Sequence, residues 1–322
     1  MDDLAATTVD RYRLFADWAR GVSPLYEEFA IGVADDGQIL SFLSNLPTPK
    51  RQPNLLFASV KYLKGVLPDY SSFREFVTTH EPLLRKLMLE RSTQTNEPGR
   101  CAVMLPLLSS LPQPIALLEA GAAAGLCLLP DRYGYDYGGH RVGSEHSAVV
   151  LPCTTTGAVP MPHAVPQIAW RCGLDRNPLD VGDPDTVSWL TALVWPGETD
   201  REERLRAALD LAASDPPRVV RGDIRDGLTS LAKGAPHDAT LVVFHSAVMP
   251  YLAEEDRTEV VAMMSRREAV WISFEARGVL PDIDARLPAS ASADKSFVLA
   301  RDGQPIALAS QHGRSLHWLG RT

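Results

Sequence analysis

The chain has 322 residues, 45% of them hydrophobic and 22% charged, with a formal net charge of -8. That length suits one large α/β core with an accessory domain, and the composition excludes fibrous and disordered classes. The acidic balance, without clustered Lys and Arg, argues against nucleic acid as a partner and for a small molecule or a protein.

The chain begins Met1-Asp-Asp-Leu-Ala, with no basic stretch ahead of an apolar one, and no run reaches the roughly 18 apolar residues of a membrane span. No membrane partner and a cytoplasmic location are therefore expected. The sequence carries no signal for an oligomeric state.

Residues 1–112 are expected to form a helical cap domain. Tyr12, Phe15, Ala16 and Ala19 recur at the spacing of one helical face, and Gly21 then stops the helix. Pro24 opens a second helix, Leu55-Leu-Phe-Ala-Ser-Val-Lys-Tyr-Leu continues the pattern, and Ser71 or Ser72 offers an N-cap ahead of Phe73.

From about residue 114 the texture changes to short apolar runs: Ile115–Glu119, Ile168–Asp175, Arg218–Asp223, Leu241–His245 and Val270–Glu275. Each is followed by a helical or turn-rich stretch, such as the charged helix at 200–213. That alternation predicts parallel strands joined by crossovers, a Rossmann-like doubly wound sheet over 113–322. Residues 130–166, rich in Gly, Pro, Tyr and Thr, read as a partly β insertion. Asp302-Gly303 joins two strands into an antiparallel C-terminal hairpin, and Ala289-Ser-Ala-Ser-Ala293 reads as a surface loop.

The chemistry concentrates where the first apolar run meets Glu119-Ala-Gly121-Ala122-Ala-Ala-Gly125. A buried strand, a Gly/Ala turn and an apolar helix let backbone approach a nucleotide-like ligand closely. The third glycine of the dinucleotide pattern is missing, which weakens an NAD reading and suits S-adenosylmethionine. Asp175 ends the second run, suited to hold a ribose or to cap a helix, and Gly222-Asp223-Ile224 follows the third, where Asp223 would face an adenine amino group.

His245-Ser246 ends the fourth run, where such sheets project residues toward cofactor and substrate, and Glu275 ends the fifth; His245 and Glu275 suit a general acid or base or a structural hydrogen bond. The polar stretch Gln94-Thr95-Asn96-Glu97-Pro-Gly-Arg100 could cover a pocket mouth or be an exposed loop. Arg132 and Tyr133 form a second polar group beyond the turn. His140, His146 and His163 lack metal-ligand spacing, and Cys101, Cys127, Cys153 and Cys172 form no C-x-x-C pair, so no metal is expected. There is no G-x-S-x-G elbow for a hydrolase.

Taken together, Ser23-Pro-Leu-Tyr26, Thr93-Gln-Thr-Asn-Glu97 with Gly99-Arg100, Leu118–Leu126, Asp131-Arg-Tyr133, Arg171–Asp175, Trp195-Pro196, Gly222-Asp223 and His312-Gly313 resemble a bacterial domain-of-unknown-function family. The resemblance spans nearly the whole chain and implies a seven-stranded methyltransferase-like sheet with an N-terminal helical cap. Ala123 and Cys127 stand where that family usually has Ser and Asn.

The leading expectation is a small-molecule methyltransferase using S-adenosylmethionine. In it the 119–125 turn takes the methionine end, Asp175 the ribose and Asp223 the adenine, with residues 93–100 and His245 facing the acceptor. The rival is a non-catalytic ligand-sensing or interaction protein that keeps the fold.

Overall fold

The computed structural model describes residues 7–265, 268–289 and 296–320. The chain's first six residues and nearly all of the Ser/Ala loop lie outside them. Two compact units form, Met1–Thr95 with Gly182–Arg206 and Asn96–Val181 with Ala207–Thr322. The division thus falls earlier than residue 112, and the helical unit takes in a segment from much later in the chain.

The helical unit holds α1 (Thr8–Ala19), α2 (Pro24–Asp35), α3 (Gly37–Ser44), α4 (Pro53–Lys64), α5 (Tyr70–Thr79) and α6 (Glu81–Glu90). Thr7 and Asp10 close a capping box at the start of α1, and Tyr12, Phe15, Ala16 and Ala19 are its buried stripe. Asp69, rather than Ser71 or Ser72, caps α5 by accepting the Ser72 N–H at 2.8 Å. The carboxylate just ahead of the helix reaches an orphan N–H that the serines, already inside the helix, cannot.

The late segment belongs to this unit because of what it buries. Trp189 is 2% exposed within the aromatic core and donates its indole N–H to the Ser92 carbonyl at 3.1 Å. The Lys61 ammonium holds the carbonyls of Thr191 and Val194 and the Glu202 carboxylate.

After α7 (Arg100–Ser109) in the second unit, the chain forms α8 (Pro184–Ala192) in the helical unit and α9 (Thr199–Ser214), which runs past the division at Arg206, then α10 (Ile224–Ala232), α11 (Glu254–Ser265) and α12 (Pro281–Asp284) in the second unit. Its strands are β1 (Ile115–Ala120), β2 (Gly134–Asp136), β3 (Arg141–Val142), β4 (Val150–Pro152), β5 (Thr154–Thr156) and β6 (Ile168–Asp175). The remainder are β7 (Val219–Arg221), β8 (Thr240–Ser246), β9 (Val270–Ala276), β10 (Phe297–Arg301), β11 (Gln304–Ala309) and β12 (Ser315–Trp318).

A nine-stranded sheet runs β5-β12-β11-β10-β9-β8-β1-β6-β7. The five strands from β9 to β7 are parallel and correspond to the five apolar runs; β10, β11 and β12 form an antiparallel meander whose first turn is Asp302-Gly303. The sheet exceeds seven strands because β12 continues the meander and β5, from the insertion, pairs beside it. The rest of the insertion makes a three-stranded sheet, β3-β2-β4. No helix among the described residues is long and apolar enough to cross a membrane.

The apolar helix expected after Gly125 does not form. Leu126–Leu128 makes one 3-10 turn, because Leu129 precedes Pro130 and is steered out of the α region. Tyr133 and Tyr135 then pin the turn by donating their hydroxyls to the carbonyls of Leu126 and Pro130 at 2.7 and 2.6 Å.

Candidate functional site

The order of the parallel strands reverses at β1: the chain passes from β1 outward to β6 and β7, then returns to β8 on the other side. After β1 it turns through Gly121 and Gly125, with φ of 77° and 72°, a backbone costing other residues about 1–2 kcal/mol. A Cβ on Gly121 would collide with Val248, and one on Gly125 would stand 2.7 Å from Pro217.

Each N–H of this turn has a protein partner. Gly121 and Ala122 donate to the Leu174 carbonyl at 2.8 and 3.3 Å, and Gly125 donates to Ala122 at 2.6 Å. Ala123 donates to Asp175 Oδ2 and Ala124 to Asn96 Oδ1, both at 2.8 Å. The turn keeps no N–H for an anion and starts no full helix, so recognition here falls to side chains.

Strand alternation sorts the expected residues onto two faces. Glu119 is in register with Gly173 of β6 and Phe244 of β8. Asp175 and Ser246 lie two residues beyond those partners and share its face. His245 is in register with Ser273, and Glu275 lies two residues further on, so His245 and Glu275 occupy the opposite face.

On that opposite face His245 Nδ1 lies 2.7 Å from Glu275 Oε1, which also accepts the N–H groups of Val248 and Met249 at 3.0 and 3.3 Å. An acceptor taking three donors is best served as a carboxylate, with the imidazole donating from Nδ1. His245 also stacks on Trp271 with ring centroids 6.1 Å apart. The pair fastens the turn after β8 to β9.

Asp223 caps α10 and pairs with Arg225 and Arg176. Hydrogen bonds from Arg225 and then Arg176 hold its carboxyl well below the usual carboxylate range, against a partial burial. Ile224, the first residue of α10, is buried in the core beneath it.

The face carrying Glu119 is closed by the segment leading into α7. Arg100, 3% exposed, donates from Nη1 to the Ser246 carbonyl at 3.0 Å and from Nε to the Gln311 carbonyl at 3.3 Å. Glu97 Oε1 accepts the Gly99 N–H at 3.0 Å, and Oε2 lies 3.4 Å from His312 Nδ1. The Cys127 thiol donates to the Glu97 carbonyl at 3.5 Å.

Four polar side-chain atoms in this group are buried without a hydrogen-bond partner: Asn96 Nδ2, Arg100 Nη2, Glu119 Oε2 and Ser246 Oγ. Burial pushes the Glu119 carboxyl well up, the neighbouring Cys127 adds to this, and Arg100 opposes it. Buried polar groups usually find a partner, so these four atoms are candidates to meet a ligand or an ordered water, as are His245 Nε2 and Glu275 Oε2 on the opposite face.

Asn96, Glu97 and Arg100 therefore stand with the turn, while Gln94 and Thr95 belong to the helical unit. Arg132 pairs with Asp215, and the Tyr133 hydroxyl is spent on the Leu126 carbonyl. The turn Gln311–Gly313 was not expected at the site. It arrives because neither Gly99 nor Gly313 carries a Cβ: a Cβ on either would collide with the other segment's backbone. Two glycines 214 positions apart (313 − 99) give no sequence signal of meeting.

Among the described residues no group of His, Cys, Asp and Glu is placed to hold a metal ion. A cleft of about 700 Å³ opens at the other end of the sheet, around Lys233, His237, Thr240, Glu268, Val270 and Asp302, away from the strand ends that carry Glu119 and Asp175. No curated protein matches the chain. Its family is shown nonetheless: residues 9–318 match the one described as uncharacterized protein conserved in bacteria (DUF2332), and the chain belongs to it.

Proposed function

We propose that this chain is an S-adenosylmethionine-dependent methyltransferase acting on a small molecule, built on a Rossmann-like sheet. The observation that carries the reading is the parallel order β7-β6-β1-β8-β9, with Glu119, Asp175 and Asp223 at or next to the carboxyl ends of β1, β6 and β7. That is the order of the first five strands of a doubly wound sheet, whose ligands enter outside the carboxyl ends where the order reverses.

The residues present fit an adenosyl ligand in most respects. Glu119 and Ser246 have unpartnered buried atoms on the required face. Asp175 accepts N–H groups from Ala123 and Asn177, yet a carboxylate has about four acceptor positions, leaving capacity for ribose hydroxyls. Asp223, committed to two arginines, fits an adenine amino group less well. A bound cofactor would bring a methyl group already activated on sulfur, leaving the chain chiefly to align the acceptor.

One observation favours the second reading, a non-catalytic ligand-binding protein of the same fold. His245 and Glu275, the expected acid-base residues, face away from Glu119 and are engaged with one another. Isothermal titration with S-adenosylmethionine and S-adenosylhomocysteine, with NAD as control, tests both. Micromolar binding lost in Asp175→Ala upholds the pocket, whereas a folded sample that binds neither compound removes the methyltransferase reading. Binding without methyl transfer across an acceptor screen would select the second.

A further inference from the structure

We infer that Cys101 and Cys127 form a redox-active thiol pair, which a hydroperoxide converts to a disulfide that fastens the turn after β1 to α7. The proposed methyl transfer uses neither thiol, and the inference does not depend on it.

Both residues belong to the second unit. Cys101 is the second residue of α7, and Cys127 is the middle of the Leu126–Leu128 turn. They are 26 positions apart, yet the Cys101 thiol lies 3.7 Å from the Cys127 carbonyl and hydrogen-bonds to the Cys127 thiol itself. The Tyr133 hydroxyl holds that turn in place through the Leu126 carbonyl. Thiols in such contact have side chains that already face one another, as a disulfide requires of its two Cβ atoms. Cys153 and Cys172, also buried, turn instead to the backbone carbonyls of Thr154 and Gly173 at 3.9 and 3.7 Å.

The two thiols are unlike. Burial pushes the Cys101 thiol well up. The Cys127 thiol is held below its ordinary value, first by the hydrogen bond from Cys101, which outweighs burial, and then by the Arg100 guanidinium, with Glu97 opposing. The thiolate is the attacking form, so Cys127 attacks and Cys101 resolves. Cys127 Sγ takes one oxygen from hydrogen peroxide: its S–O bond forms as the O–O bond breaks, and the departing hydroxide leaves as water with the Cys127 proton. Cys101 Sγ then attacks the sulfenic acid, the S–S bond forms as the S–O bond breaks, and the hydroxyl leaves as water with the Cys101 proton. The thiol pair gives up two electrons, and one peroxide becomes two waters.

Burial also selects the oxidant. Cys127 is 7% exposed and Cys101 fully buried, so a reagent little larger than water reaches them where a bulky disulfide does not. The product has no S–H, so oxidation also takes from the Glu97 carbonyl the proton that Cys127 donates to it.

The full chain, reduced and freed of reductant, is treated with a small molar excess of hydrogen peroxide and then unfolded in N-ethylmaleimide, which caps the remaining thiols. Cleavage after Glu119 separates the two cysteines for mass spectrometry. The expected product has lost two hydrogens, joins the peptides of Cys101 and Cys127, and reverts with dithiothreitol. Cys153 and Cys172 are expected to oxidise at least about tenfold more slowly, and their protection reports that the sample is folded. In Cys101→Ser, whose hydroxyl can still donate to Cys127, dimedone is expected to trap a sulfenic acid at Cys127; in Cys127→Ser, Cys101 is expected to stay reduced.

A bond from either residue to Cys153 or Cys172, or oxidation spread evenly over the four thiols, overturns the pair. So does a folded chain that stays fully reduced.

Discussion

Asp175 reaches from the end of β6 to hold the Ala123 N–H at 2.8 Å, while its other oxygen takes the Asn177 N–H at 2.7 Å. One carboxylate thus ties the loop after β1 to the loop after β6. Replacing it with alanine orphans both donors and should cost about 1–3 kcal/mol in urea unfolding. Asp175→Asn, which keeps an acceptor oxygen, should cost less. An alanine variant as stable as the parent would mean the loops are held by something else.

Glu119 should make the protein less stable as pH rises. Burial raises its carboxyl well above the ordinary 4.5, so its contribution is fully present below that value and is lost as pH climbs toward the raised one. Glu119→Gln removes the ionisation, so between pH 5 and 8 unfolding should shift in its favour relative to the parent by up to about 1.4 kcal/mol per pH unit. A stability gap that stays constant across that range would contradict the account.

Asp223 acts with the opposite sign. Its carboxyl is held below the ordinary 3.8 by Arg225 and Arg176, so its stabilisation is present above that value and lost as pH falls below it. Partial exposure keeps the effect to about 1 kcal/mol or less. In acid titrations followed by circular dichroism, Asp223→Asn should be less stable than the parent at neutral pH, with the gap closing as pH falls below 4.

Glu275 should matter more to stability than a surface carboxylate does. Removing it in Glu275→Ala frees the N–H groups of Val248 and Met249 and the ring of His245 together, for a loss of about 3–5 kcal/mol. Glu275→Gln should lose roughly half of that. Differential scanning calorimetry of the two variants checks the order, and near-equal transition temperatures would argue against the three-donor role.

Gly121 and Val248 offer a test by double-mutant cycle. Gly121→Ala meets both an unfavourable φ and the Val248 side chain; Val248→Ala relieves the second problem and leaves the first. The single Gly121 change should cost about 2–4 kcal/mol, and within the Val248→Ala background about 1–2 kcal/mol. Full additivity would show that the two side chains do not compete for the same space.

Period and punctuation carried most of the fold. The buried stripe of α1, the five parallel strands and the Asp302-Gly303 turn each follow from local spacing. What local spacing cannot convey is which distant segments meet. Nothing around Trp189 in the sequence shows that it completes a buried core whose other members lie at Met88 and earlier. At the site, Glu119, Asp175 and Ser246 were legible as strand ends, but the face each uses depends on register, and register is set only when strands pair. Glu97 and Arg100 stayed open between a pocket cover and an exposed loop because nothing in their own neighbourhood shows that the Gln311–Gly313 turn will cover them.

The helical unit is made of Met1–Thr95 and Gly182–Arg206, and this has a consequence for synthesis. A ribosome adds roughly 5–20 residues a second, so for several seconds the first six helices are exposed without Trp189, Leu193 and Trp195 to cover their aromatic core. Within that interval β1, the Gly121 turn and the whole β insertion emerge. The unit that begins first therefore finishes only after the other has been started, and a nascent chain halted near residue 112 should be open to proteases where one halted beyond residue 240 is protected.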